Sequence, residues 1–401
     1  MIPEDLLNFV ITDQARVVKP PHLIKRINPE FSETNRITIV TGVRRCGKST
    51  FLKQLFPSKS TSLFINFEDP RLQGFDVNDF YKIEHLAEKE NKSLFVFDEV
   101  QNVPDWERYV RAANEMGKKI FITGSNASML SRELGTKLTG RYKQSELFPF
   151  TYTEYLAFRN LSPCKESMVR YLQEGGFPEA LFEHDPDFLR TLLKDIITRD
   201  IAVRRKIRNE STLLRLAVFL LSNTGKEYSY NRITQLLQIL SVRTTIDYCD
   251  FLHESYLLDM ISRFSWSIRQ QQGNPKKVYA VDTGLVRANS LSLSIDEGRL
   301  LENAIYLHLR RAGFPIEFYK DENSECDFLV RESFQEPLAI QVCLHLNDQN
   351  LSREIAGLTN AMQQAKISKG IIITLDQEDT LAGFPVIPAW QWLSVNKATA
   401  P

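Results

Sequence analysis

The stretch Gly42-Val-Arg-Arg-Cys-Gly47-Lys48-Ser49 constrains the fold more than any other part of the chain. It follows an apolar run, ITIV, and leads into STFLKQLF, which has helical spacing. Glycines at a strand-to-helix turn let the backbone curl until several N–H groups face one point, and the helix N-terminus adds partial positive charge there. Such a turn cradles phosphate oxygens, so the spacing predicts a P-loop and an α/β fold built on a parallel sheet. Gly42, Val43, Arg44, Arg45, Cys46, Gly47, Lys48, Ser49 and Thr50 are the expected ATP contacts. Lys48 is expected to reach the β- and γ-phosphates and Ser49 to ligate Mg2+. Cys46 sits among Arg44, Arg45 and Lys48 at a helix start, where charge favours the thiolate. Either it is the reactive thiol of the chain, or it is a small residue kept inert by burial.

Three more apolar runs, SLFINFE, SLFVFDEV and KKIFITGS, alternate with helix-length stretches up to about residue 150. Short continuous apolar runs in that rhythm predict strands buried on both faces. The run Leu94 to Phe97 ends in Asp98-Glu99. Asp98 is then placed to hold Mg2+ through water, and Glu99 to polarise an attacking water as a general base. The next run ends in Thr123-Gly-Ser-Asn126. Its Ser125 or Asn126 is a candidate contact to the γ-phosphate or to that water, with an ordinary polar turn as the alternative.

The remaining chain changes character. Residues 151 to 210 have helical spacing and end in the basic run RDIAVRRKIR, and residues 211 to 262 read as helix, turn, short helix, turn, helix. After QQGNPKK come KVYAVDTGL, a helix through EGRLLENAIYLHLRRAG, and the strands CDFLV and LAIQVCL. At 401 residues, 43% hydrophobic and 25% charged, the chain has material for more than one core. Its formal net charge is zero, so any nucleic-acid role must rest on a local basic patch. No apolar segment approaches the ~18 residues of a membrane span, which points to a cytoplasmic protein without a membrane partner. The five cysteines, at 46, 164, 249, 326 and 343, include no CxxC pair and read as free thiols.

The ordered set GVRRCGKSTFLKQL, FVFDEVQNVPDWE, FITGSNASML, LTGRYKQSELFPFTYTEYL, LQEGGFPEAL, VYAVDTGL and LLENAIYLHLRRAG…ECDFLV resembles a prokaryotic family of AAA-type ATPases. The resemblance implies an ATP-binding domain over 1–150, a helical lid over 151–210, a winged-helix-like segment over 211–280, and over 281–401 a domain of unknown function resembling the PD-(D/E)XK, or restriction-endonuclease-like, fold. It also implies Mg2+-dependent ATP hydrolysis coupled to conformational change, acting on DNA and assembled as a ring, with a regulatory switch on a protein partner or an ATP-dependent nuclease as alternatives. Arg141 matches the arginine that completes such sites in cis or in trans; the alternative is a surface ion pair with Glu146 or Glu133. Glu302, Asp327 and Gln341-Val-Cys343 match the nuclease positions, with Cys343 where the fold carries lysine. A degenerate site is therefore expected, with Lys366 or Lys369 as relocated replacements, or with the two acids in purely structural ion pairs to Arg310 and Arg311. In the helix Val242 to His253, Arg243, Thr244 and Thr245 are the candidate DNA contacts, opposed by Asp247 and Asp250.

Overall fold

Five short runs rich in β-branched and aromatic residues form one sheet: β1 (Ile37–Thr41), β2 (Ser62–Asn66), β3 (Leu94–Asp98), β4 (Lys119–Gly124) and β5 (Tyr142–Glu146). Their order is β2-β3-β4-β1-β5, and every neighbouring pair is parallel. Parallel pairing brings all five carboxyl ends to one edge, where Asn66 lies opposite Asp98 and Thr41 opposite Gly124. Helices α1 (Glu4–Ala15), α2 (Lys48–Leu55), α3 (Asp79–Lys89) and α4 (Trp106–Glu115) accompany the sheet. Leu7, Val10 and Ile11 of α1, Phe80 and Ile83 of α3, and Trp106, Tyr109 and Val110 of α4 share one core with Ile37, Ile65, Phe97 and Ile122. Each such side chain taken from water contributes about 1.5–3 kcal/mol.

The computed structural model describes residues 1–15, 24–27, 36–55, 61–124, 142–183, 185, 187–291, 296–331 and 336–395. The chain divides into two compact units, Met1–Phe148 and Pro149–Pro401. Asn126 and Arg141, and with them Ser125, lie outside the described residues.

The second unit begins with helices, including α5 (Tyr152–Arg159) and α6 (Lys165–Glu174), and continues through α7 (Glu210–Ser222), α8 (Tyr230–Leu237) and α9 (Val242–Glu254). Ser229 and Ser241 cap α8 and α9 by accepting from Arg232 N–H and Thr244 N–H. The strands are β6 (Glu227–Tyr228), β7 (Leu258–Arg263), β8 (Lys276–Ala280), β9 (Ile316–Lys320), β10 (Glu325–Val330), β11 (Leu338–Val342), β12 (Lys369–Thr374), β13 (Asp379–Leu381) and β14 (Phe384–Pro388). They make a single nine-stranded sheet in the order β13-β14-β12-β11-β10-β9-β7-β8-β6. The parallel pairing of β7 with β9 carries this sheet across the boundary expected at 280/281. Helices α10 (Thr283–Asn289), α11 (Glu297–Arg311) and α12 (Leu351–Ala365) belong to the same unit.

Two family-marking motifs meet in this unit. Asp282 of VDTGL caps α10 by accepting from Leu285 N–H at 2.9 Å, and its other oxygen accepts from Gly176 N–H of EGGFPEAL at 2.6 Å. A Cβ at Gly175 would lie 2.3 Å from Asp282 Oδ1, at a backbone φ of +75°, and one at Gly284 would lie 2.3 Å from the Glu174 carbonyl oxygen. Burial pushes the Asp282 carboxyl up to about 6 against the pull of those N–H donors. The motifs are thus a packing joint.

Candidate functional site

The first site is assembled at the carboxyl edge of the parallel sheet. After β1 the chain turns at Gly42, where φ is +143° and an added Cβ would stand 2.1 Å from the Leu147 carbonyl oxygen, so only glycine fits. Arg45 at φ 65° and Gly47 at φ 99° complete a loop that runs into α2. Lys48, buried, donates to the Gly42 and Val43 carbonyl oxygens at 3.0 and 3.1 Å and lies 4.0 Å from Glu99 Oε1. Arg44 pairs with Glu68 at 3.2 Å. Arg26 underpins the loop from below, donating to the Cys46 carbonyl oxygen at 3.0 Å and the Phe148 carbonyl oxygen at 2.6 Å.

Cys46 is fully buried, and that burial pushes its thiol up despite Lys48 and Arg26 nearby. Of the two readings of Cys46, burial favours the inert thiol, since desolvation outweighs the cations.

At the end of β3, Asp98 is buried and its Oδ1 accepts from the Thr123 hydroxyl. Its Oδ2 has no hydrogen-bond partner among the described residues. Burial first and Glu99 second raise its pKa, while Ser49 close by, the Thr123 hydroxyl and the Lys48 charge pull it down. Glu99 adopts the left-handed conformation, φ 52° and ψ 42°, which costs a non-glycine residue about 1–3 kcal/mol and is a mark of functional positions. Its N–H donates to Thr123 Oγ1 at 3.0 Å, and its carboxylate accepts from the Gln101 amide. The P-loop, Asp98 and Glu99 therefore come together. Thr123 and Gln101 were not foreseen; the signal for Thr123 was its place on the last turn of a strand that parallel pairing sets beside both β1 and β3.

The nuclease-matching residues lie in the second unit. Glu302 and Asp327 do converge, but on Lys277, whose Nζ is 3.2 Å from Glu302 Oε1, 3.0 Å from Asp327 Oδ1 and 2.7 Å from Glu325 Oε1. Lys277 is 2% exposed. Burial works to lower its pKa, but Glu302, Tyr279, Asp327 and Glu325 outweigh it and hold the value above that of an ordinary lysine. Neither proposed replacement joins them: Lys369 pairs with Glu336, and Lys366 lies over the Trp266 ring. Arg310 pairs with Asp259, and Arg311 donates to the Pro149 carbonyl oxygen. Gln341 donates to Glu354 at 2.6 Å. β11 ends at Val342, so Cys343 and His345 lie beyond the strand. Lys277 was not foreseen; in KKVYA, period two sets it on the same strand face as Tyr279.

In α9, Thr245 is fully buried, with its hydroxyl 2.7 Å from that of Thr234, and Thr244 is 2.9 Å from the Ser241 hydroxyl. Arg243 pairs with Asp247 at 3.1 Å. Thr245 therefore cannot face a groove: it fastens α9 to α8. In the basic run before α7, Arg199 pairs with Asp195, Arg204 with Asp200 and Arg205 with Glu254, while Lys206 and Arg208 are exposed.

A P-loop and an acid pair on the edge of a five-stranded parallel sheet define an AAA-type P-loop domain, and residues 34–156 match the family model of an AAA domain, AAA_14. Residues 165–296 match a domain of unknown function, DUF8612. The chain belongs to the family of the uncharacterized protein MJ1544 of Methanocaldococcus jannaschii, to which it is 33% identical over 427 residues, covering 96% of this chain and 95% of the relative. An uncharacterized protein of Haemophilus influenzae is 28% identical over 388 residues, covering 91% of this chain and 96% of the relative. Among solved structures, replication initiator DnaA bound to AMPPCP and single-stranded DNA is similar at a TM-score of 0.27 and 12% identity, over 63% of this chain and 88% of that one. Drosophila ORC bound to AT-rich DNA and Cdc6 is similar at a TM-score of 0.20 and 10% identity, over 63% of this chain and 84% of that one. Overlap that slight carries no argument about function. Among the described residues no helix is long and apolar enough to cross a membrane.

Proposed function

We propose that the first unit binds ATP with Mg2+ and hydrolyses it. The observation that carries this reading is Asp98 Oδ2, a buried carboxylate oxygen with no hydrogen-bond partner among the described residues, on the strand end beside the P-loop lysine. An orphaned anionic oxygen in a buried site is costly unless a cation completes it. Ser49 and Asp98 would hold the metal, and the P-loop N–H groups the phosphates. Magnesium–ATP supplies the transferable phosphoryl group and a charge that neutralises its oxygens. Lys48 exchanges the Gly42 and Val43 carbonyl oxygens for phosphate oxygens. Glu99 accepts a proton from water, held in place by its N–H bond to Thr123 and its contact with Gln101.

Lys48→Ala is expected to lose ATP binding in calorimetry, whereas Glu99→Gln is expected to keep binding and lose about 10²-fold or more in turnover. Tight binding by the first variant, or turnover at the unaltered rate by the second, would sink the assignment.

Nucleic acid as the partner is weakly supported, because Thr245 is buried and Arg199, Arg204, Arg205 and Arg243 each lie beside an acid, which leaves Lys206 and Arg208 as the other exposed cations of the run. An ATPase switch that engages a protein partner agrees better with those pairings. The expected result is an ATPase rate unchanged by single- or double-stranded DNA; stimulation by either restores the DNA-acting reading. Mass in solution with ATP tests a ring, and Arg141→Ala in mixed assemblies tests action in trans.

A further inference from the structure

We infer that the ε-ammonium of Lys277 is a built-in cation that stands where a divalent ion would otherwise sit among Glu302, Glu325 and Asp327, closing that position to metal in the native chain. This goes beyond the ATPase reading and rests on the second unit alone. The carboxylates come from two different elements, Glu302 from α11 and the others from β10, yet one oxygen of each lies within 3.2 Å of a single nitrogen. Three carboxyl groups sharing one buried ammonium are a cation site already filled, by a side chain that cannot diffuse away.

The fold family suggests a metal at Glu302 and Asp327, and the residues present do not fit one. Among the described residues no group of three acidic, histidine or cysteine side chains is disposed to hold a metal ion. The oxygens that would coordinate are turned onto Lys277. A metal would have to displace a tethered side chain that contacts all three carboxyl groups at once.

What makes the site latent rather than lost is that each carboxylate is also held by a second partner. Tyr279 OH donates to Glu302 Oε1 at 2.6 Å, Val342 N–H to Asp327 Oδ2 at 2.9 Å, and Lys320 pairs with Glu325 Oε2 at 3.0 Å. Those contacts come from β8, β11 and β9 and do not depend on Lys277. Removing the ammonium therefore leaves the oxygens aimed at a common point. Oxygen ligands bind Mg2+ or Mn2+ at ~2.0–2.2 Å, so the carboxylates need draw in only by roughly an ångström, and the space of the lost side chain admits water to complete the shell. Glu325, with its side chain 36% exposed, provides the way in.

The test is thermal unfolding of the full chain without nucleotide, in EDTA and in excess Mn2+. Lys277→Ser is expected to melt lower than the unaltered chain in EDTA and to recover by several degrees in Mn2+, with that recovery lost in Lys277→Ser/Asp327→Asn. Lys277→Ser/Glu302→Gln removes one charge of each sign, so it keeps the balance of the cluster should the single variant fail to fold. It is expected to show a smaller rise through Asp327 and Glu325. Two outcomes overturn the inference: neither Lys277 variant responds to Mn2+, or the unaltered chain gains stability from Mn2+ in a way that Asp327→Asn abolishes.

Discussion

Thr123 ties the two acids of the ATP site together, since one hydroxyl donates to Asp98 and accepts from the Glu99 N–H. Thr123→Val keeps the branched shape and strands both buried partners, a loss of about 1–3 kcal/mol for each group left unsatisfied. Its expected effect is a fall in kcat of about 10-fold or more at little change in KM for ATP, with Thr123→Ser restoring much of the rate. Steady-state ATPase kinetics decide this; an unchanged kcat in the valine variant leaves Thr123 with a packing role. At this scale the sequence was informative wherever the chemistry is local. Gly42, Lys48 and Ser49 are close in the chain, and the DE pair follows its own strand. Thr123 and Lys277 act on partners about 25 residues or more away, on other elements, so no local pattern announces them. Cys46 stayed open between two readings for another reason: local charge is legible in sequence, whereas the complete desolvation that opposes it is a property of the packed core.

Among the elements, α9 shows how a helix with reading-helix spacing becomes a structural one. Thr245 faces α8, Glu254 pairs with Arg205, and His253 lies 3.1 Å from Asp259 at the start of β7. Arg310 and Tyr306 of α11 converge on the same Asp259. The hydrogen bond to Asp259 raises the His253 pKa, against burial and the Arg310 charge. A histidine with a raised folded pKa contributes stability that is fully present below its unfolded value, near 6.5, and is lost as pH climbs through the folded value. The His253 contribution to melting temperature is therefore expected to decline from about pH 6 toward pH 8, so the change in melting temperature caused by His253→Gln should shrink over that range. A change that stays constant over that range would overturn this. The helix positions were readable from spacing and caps; which face is covered was not, because that depends on the neighbour each helix meets.

Across the whole molecule, the residues 165–296 that match one family model contain both halves of the Asp282 joint, separated by 106 positions. A carboxylate there accepts from two N–H groups through two oxygens; an amide offers one oxygen and turns an NH2 toward the other N–H. Asp282→Asn is expected to cost about 1–3 kcal/mol, read as a lower midpoint in denaturant unfolding. A midpoint within error of the unaltered chain would show that the joint is held by its glycine contacts alone.

The nine-stranded sheet also limits how this chain can be inherited in pieces. A break at 280/281 would leave Lys277 and Tyr279 on one fragment and Glu302, Glu325 and Asp327 on the other, and would strip β9 of its β7 partner. Recombination that swapped only the last third of the gene would deliver an open strand edge and three carboxyl groups without their cation. The segment that carries β6 to β8 and the carboxylate-bearing half should therefore pass through evolution together, as one inseparable cassette.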